Sequence, residues 1–311
     1  MAKILITESV HPIGPELLTA AGHTVVYADR DMDIIRREIV DADAVLVRII
    51  ELPGSLLATA KNLKIVSKHG VGYDNIDLDY CKSHGVAVTI TPNANSLSVA
   101  EHAFTLMLTL AKNIIPVSNE YREIGFAAKN HAPGIEMTGK TLGLIGMGRI
   151  GKHILHMCRD GLDMHVIVYD PYISEVPEGV EKVDDLSELL RRADVVTLHC
   201  LLTDETRKLI DRERLALMKP TALLINCARG PIVDEAALIE ALESGRLAGA
   251  GLDVTDPEPV APDSPLFKLS NVIVTPHYAP TTVESATRVS KIAAENINAV
   301  LAGQEPVGRI V

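Results

Sequence analysis

Three residues of this chain have the types that suit proton and carboxylate chemistry: His277, Glu258 and Arg229. Arg229 follows Ile225-Asn226-Cys227-Ala228, Glu258 lies just beyond Leu252-Asp253-Val254, and His277 follows Val274-Thr275-Pro276. Each apolar run reads as a strand, and ligands of open α/β sheets bind outside the carboxyl ends of strands. Histidine can both give and take a proton near neutral pH. A carboxylate beside it stabilises the protonated ring and holds its tautomer. Arginine offers a planar, permanently charged fork to a carboxylate. Reduction of a 2-keto acid needs this set: a proton donor at the carbonyl oxygen and a cation for the acid group.

A hydride source is suggested earlier in the chain. Thr141–Ile145 reads as a strand, followed by Gly146-Met147-Gly148-Arg149-Ile150-Gly151 and a helical stretch. In this order Gly146 permits a tight turn, Gly148 admits a pyrophosphate, and Gly151 lets the helix lie close to the sheet. The free N–H groups of the helix start, at Arg149 and Ile150, then face the anion, and Arg149 adds a charge near it. Asp170 closes the next strand, where a carboxylate accepts from both ribose hydroxyls and repels a 2′-phosphate. The expected cofactor is therefore NAD.

These residues need a scaffold of strand ends. The first third alternates strand-like runs (Lys3–Thr7, Thr24–Tyr27, Ala44–Val47, Lys64–Ser67, Val86–Thr89) with helical patterns at Pro15–Ala21 and Ile34–Val40. A long apolar helix is expected from near Ser98, with Ser98 and Glu101 as a capping box. A second series has six strands: Thr141–Ile145, His165–Tyr169, Val195–His199, Ala222–Asn226, Gly249–Asp253 and Val272–Thr275. Its expected helices are Ile150–Arg159, Leu186–Arg192, Arg212–Met218 and Glu235–Ser244. A last helix spans Val283 to Leu301. Such alternation implies two doubly wound parallel sheets. The acidic cluster Asp74–Asp79 reads as a helix start.

Composition fits this plan and narrows the function. At 311 residues the chain exceeds the usual size of one core. Hydrophobic residues make up 47% and aromatics only 3%, so the core must be aliphatic, as buried parallel strands are. A net charge of -11, without a basic run, argues against nucleic acid. No apolar run approaches the roughly 18 residues of a membrane span. Cys81, Cys158, Cys200 and Cys227 form no CxxC pair, which suits a reducing, cytoplasmic setting. His153, His156 and His165 have the number but not the carboxylate of a metal site, and no metal is expected.

Taken together, these stretches resemble the D-isomer-specific 2-hydroxyacid dehydrogenase family, over nearly the whole chain and in the family's order. They are Gly70-Val71-Gly72-Tyr73-Asp74-Asn75-Ile76-Asp77, Val99-Ala100-Glu101-His102, Gly146–Gly151, Asn226 to Glu235, Gly251-Leu252-Asp253-Val254 and Thr275-Pro276-His277. The resemblance implies that His277 is the general acid–base, Glu258 its partner, and Arg229 the group that binds and polarises the keto acid. It implies that Asp253 orients the nicotinamide carboxamide, that Cys200 and Cys227 to Arg229, including Ala228, line the cofactor, and that the backbone of Val71 and Gly72 holds the substrate carboxylate. It also implies a Rossmann cofactor domain (99–281) inserted in a flavodoxin-like substrate domain (1–98 plus 282–311), assembled as a homodimer or homotetramer. Within the family the nearest likeness is to short-form D-3-phosphoglycerate dehydrogenases, since Arg48 ends a strand where those enzymes bind substrate, and nothing follows Val311 for the regulatory domain of the long forms. Lys68 and His69 would add positive charge. The expected substrate is 3-phosphoglycerate. Glyoxylate, hydroxypyruvate or another acidic 2-hydroxy acid is the alternative. A nucleotide-sensing binding protein would keep the same motifs.

Overall fold

The computed structural model describes residues 1–131 and 133–311. Along the chain run β1 (Lys3–Ile6), α1 (Ile13–Ala20), β2 (Thr24–Tyr27), α2 (Met32–Glu38), β3 (Ala44–Val47), α3 (Gly54–Leu57), β4 (Ile65–Lys68), α4 (Leu78–Ser83) and β5 (Ala87–Thr89). There follow α5 (Ser96–Ala111), α6 (Ile114–Ile124), β6 (Thr141–Ile145), α7 (Arg149–Leu162), β7 (His165–Tyr169), β8 (Val180–Lys182), α8 (Leu186–Arg192) and β9 (Val195–Leu198). The remainder is α9 (Arg212–Leu215), β10 (Leu223–Asn226), α10 (Glu235–Glu243), β11 (Gly249–Leu252), β12 (Val272–Val274) and α11 (Val283–Leu301). The chain divides into two compact units, Met1–Asn95 with Pro280–Val311, and Ser96–Ala279.

The first unit has a five-stranded sheet in the order β2-β1-β3-β4-β5, parallel throughout. This is the flavodoxin-like order. β3 and β4 are buried at every position, so their side chains meet apolar neighbours on both faces. α11 returns to this unit, burying Ala293, Ala294 and Ile297 against Ile4, Ile6, Leu46 and Ile65. Ser67 Oγ donates to the Ala293 carbonyl at 3.0 Å, fixing the register of helix on strand.

The second unit has a seven-stranded sheet, β12-β11-β10-β9-β6-β7-β8. Counted from β6 within the unit, the order is 3-2-1-4-5-6-7, the doubly wound dinucleotide order with one strand added. It has seven strands rather than the expected six. The strand not expected from sequence, β8, has three residues at the sheet edge and is partly exposed, so it carries little hydrophobic pattern. α5 starts at Ser96, two residues before Ser98, so the expected Ser98–Glu101 capping box falls inside the helix. The turn before it is made at Asn93, φ +64°. α6 was not expected either, and none of its residues is buried. Asp77 caps α4 by accepting from the Tyr80 N–H at 2.9 Å, in keeping with the acidic cluster as a helix start. Among the described residues no helix is long and apolar enough to cross a membrane.

Candidate active site

The register of the second sheet aligns the ends of its strands. Tyr169, Ile145, Leu198, Asn226, Leu252 and Val274 pair in turn across β7, β6, β9, β10, β11 and β12. Asp170, Gly146, Cys200, Arg229, Glu258 and His277 all lie a few residues beyond this row. The nucleotide motif and the three reactive side chains thus share one edge of one sheet, the edge at which such folds bind ligands.

On the β6 side, Gly146 has φ +89°, and a Cβ there would lie 2.7 Å from the Cys200 nitrogen. Gly151 is packed so closely that a Cβ would lie 2.3 Å from the Gly146 carbonyl oxygen. Gly148 is different: a Cβ there would meet nothing within 4 Å. The fold itself therefore explains the first and third glycines, while the second faces open space. Gly148 also caps α7 without a side-chain hydrogen bond, which leaves N–H groups of the first turn free for an anion. Arg149, the first residue of α7, is exposed, and Ile150 packs on the core beneath. Asp170 is anchored by the loop it serves, accepting from the Met147 N–H at 2.9 Å and the Tyr172 N–H at 3.0 Å. Its remaining lone pairs suit ribose hydroxyls. These residues fit a dinucleotide.

Burial pushes the Cys200 thiol up to about 11. It raises Cys227, itself only 7% exposed, well above the ordinary thiol range. Both are neutral wall residues rather than nucleophiles.

At the far side of the row, His277 Nδ1 lies 2.7 Å from Glu258 Oε1. A carboxylate can only accept, so the proton sits on Nδ1 and Nε2 is left as the exchanging atom. Both side chains are partly open, 34% and 40% exposed. The Glu258 loop is held by Glu235, whose carboxylate accepts from the Asp256 N–H at 2.9 Å. It crosses the Arg229 loop at Gly230, where a Cβ would lie 1.9 Å from the Thr255 carbonyl oxygen. Asn226 closes the Arg229 turn: it accepts from the Ala228 N–H at 3.0 Å and donates to the Arg229 carbonyl at 2.9 Å.

The resemblance gave Asp253 the nicotinamide carboxamide. In the structure Asp253 is 1% exposed, and its carboxylate accepts from the Thr275 hydroxyl and from the N–H groups of Tyr278 and Ala279 at 2.5, 2.7 and 2.9 Å. It grips the loop that carries His277. Spacing could not show this, because the partners lie more than 20 residues away.

In the first unit, Glu8 is the counterpart that sequence reasoning missed. This buried carboxylate accepts from the N–H groups of Arg48 and Ile49, both at 2.7 Å. Among the described residues no carboxylate pairs with the half-buried Arg48 guanidinium. Lys68 is not a free cation: it is buried, and donates to the Arg48 carbonyl and to Asn75. His69 is no cation either, since burial, with help from the Arg48 charge, pushes it down to about 4. Val71 and Gly72 are half-buried, and no described protein group accepts from their N–H groups. Of the histidines of α7, His156 pairs with Asp160, and among the described residues no group of three or more His, Cys, Asp or Glu side chains could hold a metal ion.

Residues 104–279 match the sequence profile described as D-isomer specific 2-hydroxyacid dehydrogenase, NAD binding domain. The chain is 42% identical over 308 residues to D-3-phosphoglycerate dehydrogenase of Methanocaldococcus jannaschii, covering 98% of this chain and 58% of that protein. It thus spans a little over half the length of that relative. It is 37% identical to glyoxylate reductase of Thermofilum pendens, covering 98% and 93% of the two chains. The crystal structure of the TT0316 protein from Thermus thermophilus superposes with a TM-score of 0.92 at 34% identity, covering 99% and 100%.

Proposed function

Because the chain belongs to the D-isomer specific 2-hydroxyacid dehydrogenase family, we propose that it is an NAD-dependent oxidoreductase acting at C2 of a small D-2-hydroxy acid. The observation that carries this reading is the Glu258–His277 pair, joined at 2.7 Å on the same sheet edge as the glycine loop. Gly146 to Gly151 and Asp170 would hold the nicotinamide cofactor, which would supply or accept the hydride. In the reducing direction the protonated His277 ring, stabilised by Glu258 at Nδ1, delivers its Nε2 proton to the carbonyl oxygen and is left neutral with the proton on Nδ1. Arg229 binds and polarises the keto acid. In the first unit, taken by itself, the N–H groups of Val71 and Gly72, from which no described protein group accepts, suit a carboxylate, and Arg48, which pairs with no carboxylate among the described residues, suits an anionic group.

Arg48 favours an acidic substrate, and 3-phosphoglycerate, oxidised to phosphohydroxypyruvate, is the first choice. The second reading is reduction of glyoxylate or hydroxypyruvate, favoured by the glyoxylate reductase that the chain matches along 93% of its length. A panel of 2-keto acids with NADH separates them. The first reading expects phosphohydroxypyruvate to have the highest kcat/KM and Arg48→Ala to lower it. Glyoxylate turning over as well as phosphohydroxypyruvate overturns that choice, and NADH binding without turnover on any 2-keto acid overturns the enzyme.

The four cysteines are unpaired, which supports a reducing, cytoplasmic setting. The exposed apolar residues Ile114, Ile115, Tyr121, Ile124 and Phe126, on and just after α6, support association of two copies through this segment, giving a homodimer or a tetramer built from it.

A further inference from the structure

His102, on α5, lies 3.0 Å through Nε2 from the Thr275 hydroxyl and 3.4 Å from Asp253 Oδ1. Its ring also meets that of Tyr278 edge-on at 6.2 Å. We propose that His102 is a positioning residue for His277, acting through Thr275 and Asp253. The proposal rests on the dehydrogenase reading above.

The direction of each hydrogen bond follows from chemistry. The Thr275 hydroxyl has one hydrogen, and Asp253 can only accept, so that hydrogen goes to Asp253 at 2.5 Å. The Thr275 oxygen is left as an acceptor, and His102 must present Nε2–H to it. Donation therefore runs from His102 to Thr275 to Asp253, and Asp253 in turn takes the N–H groups of Tyr278 and Ala279. Its main-chain carbonyl takes the N–H of His277 at 2.8 Å. Asp253 thus holds the Thr275–Ala279 loop through both its buried carboxylate and its main-chain carbonyl.

The loop needs such a grip. His277 has φ +52°, a conformation that residues bearing a Cβ adopt only where their surroundings over-determine it. His102 comes from a rigid element: α5 buries Ala103, Leu106 and Met107 in the core of the second unit, and the absence of a side chain at Gly251 lets Leu106 close on β11. The sequence holds His102 in a recognised motif without indicating its task.

The test compares His102→Leu with His102→Gln in the full chain, whose amide can replace the Nε2–H donor. With NADH and the best substrate of the panel, His102→Leu is expected to lower kcat about tenfold, as loss of one such hydrogen bond does. KM and the Kd for NADH should stay within about twofold, because the loop carries the proton donor. His102→Gln should recover most of kcat. Independently of turnover, amide exchange at Tyr278 and Ala279 should speed up about tenfold in His102→Leu. Thr275→Val breaks the same chain one link further on and should reproduce the defect if His102→Leu fails to fold. Unchanged kcat, unchanged exchange protection, or a Gln variant no better than Leu overturns the proposal. If the wild type reduces no 2-keto acid, the dehydrogenase reading fails, while the exchange measurement still decides whether His102 holds the loop.

Discussion

Glu258 and His277 could be nominated from sequence because their chemistry is written in their side-chain types, and they are 2.7 Å apart. The groups that hold them were hidden. Glu235, Asp253 and Glu8 are acidic residues that spacing alone cannot tell from surface ones, and each accepts from backbone N–H groups remote in sequence. Lys68 and His69 show the converse: they read as charge for a substrate, but one is bonded within its loop and the other is buried neutral. His199, at the end of β9, is also buried, and desolvation pushes it down to about 3. Both folded values lie below the unfolded value of about 6.5, so the unfolded chain takes up protons first as pH falls. The stability these two rings contribute is complete above about pH 6.5 and is lost as pH drops toward 4 and 3, at about 1.4 kcal/mol per pH unit for each ring. Tm is therefore expected to fall between pH 7 and pH 5, and His199→Asn should reduce that slope. An identical slope in the variant would count against the buried neutral ring.

At the scale of elements, several with a clear apolar pattern were legible. β2, β3, β6, β7, α8 and α11 begin and end where their patterns predict. Elements that bury little were not: β8 is a short, partly exposed edge strand, and no residue of α6 is buried. That Arg229, Glu258 and His277 lie beyond strand ends was legible, but the register that lines those ends up across six strands was not. The glycines separate packing from ligand binding at this scale. Gly230→Ala would put a methyl 1.9 Å from the Thr255 oxygen, and is expected to cost about 3 kcal/mol in denaturant unfolding and to displace the Glu258 loop. Gly148→Ala meets no protein atom, so it should unfold like the wild type while its Kd for NADH, followed by fluorescence, rises at least tenfold. Equal effects of both substitutions on stability would show that the open space at Gly148 is not kept for a nucleotide.

The whole molecule has two parallel-sheet units of different strand order, and both were legible as alternating strand and helix. The exposed apolar residues around α6 were not, since in sequence an apolar helix face exposed to solvent reads like one that meets a core. Tyr121→Lys with Phe126→Glu is expected to shift the particle in sedimentation velocity from dimer or tetramer to monomer, and an unchanged sedimentation coefficient would exclude this segment as the interface. The most direct test of the central claim is NADH oxidation by the full chain with the best 2-keto acid of the panel, comparing wild type with His277→Asn. Proton transfer through His277 predicts a loss of at least about a hundredfold in kcat, with the Kd for NADH within about threefold of wild type. A variant that oxidises NADH as fast as the wild type would contradict it.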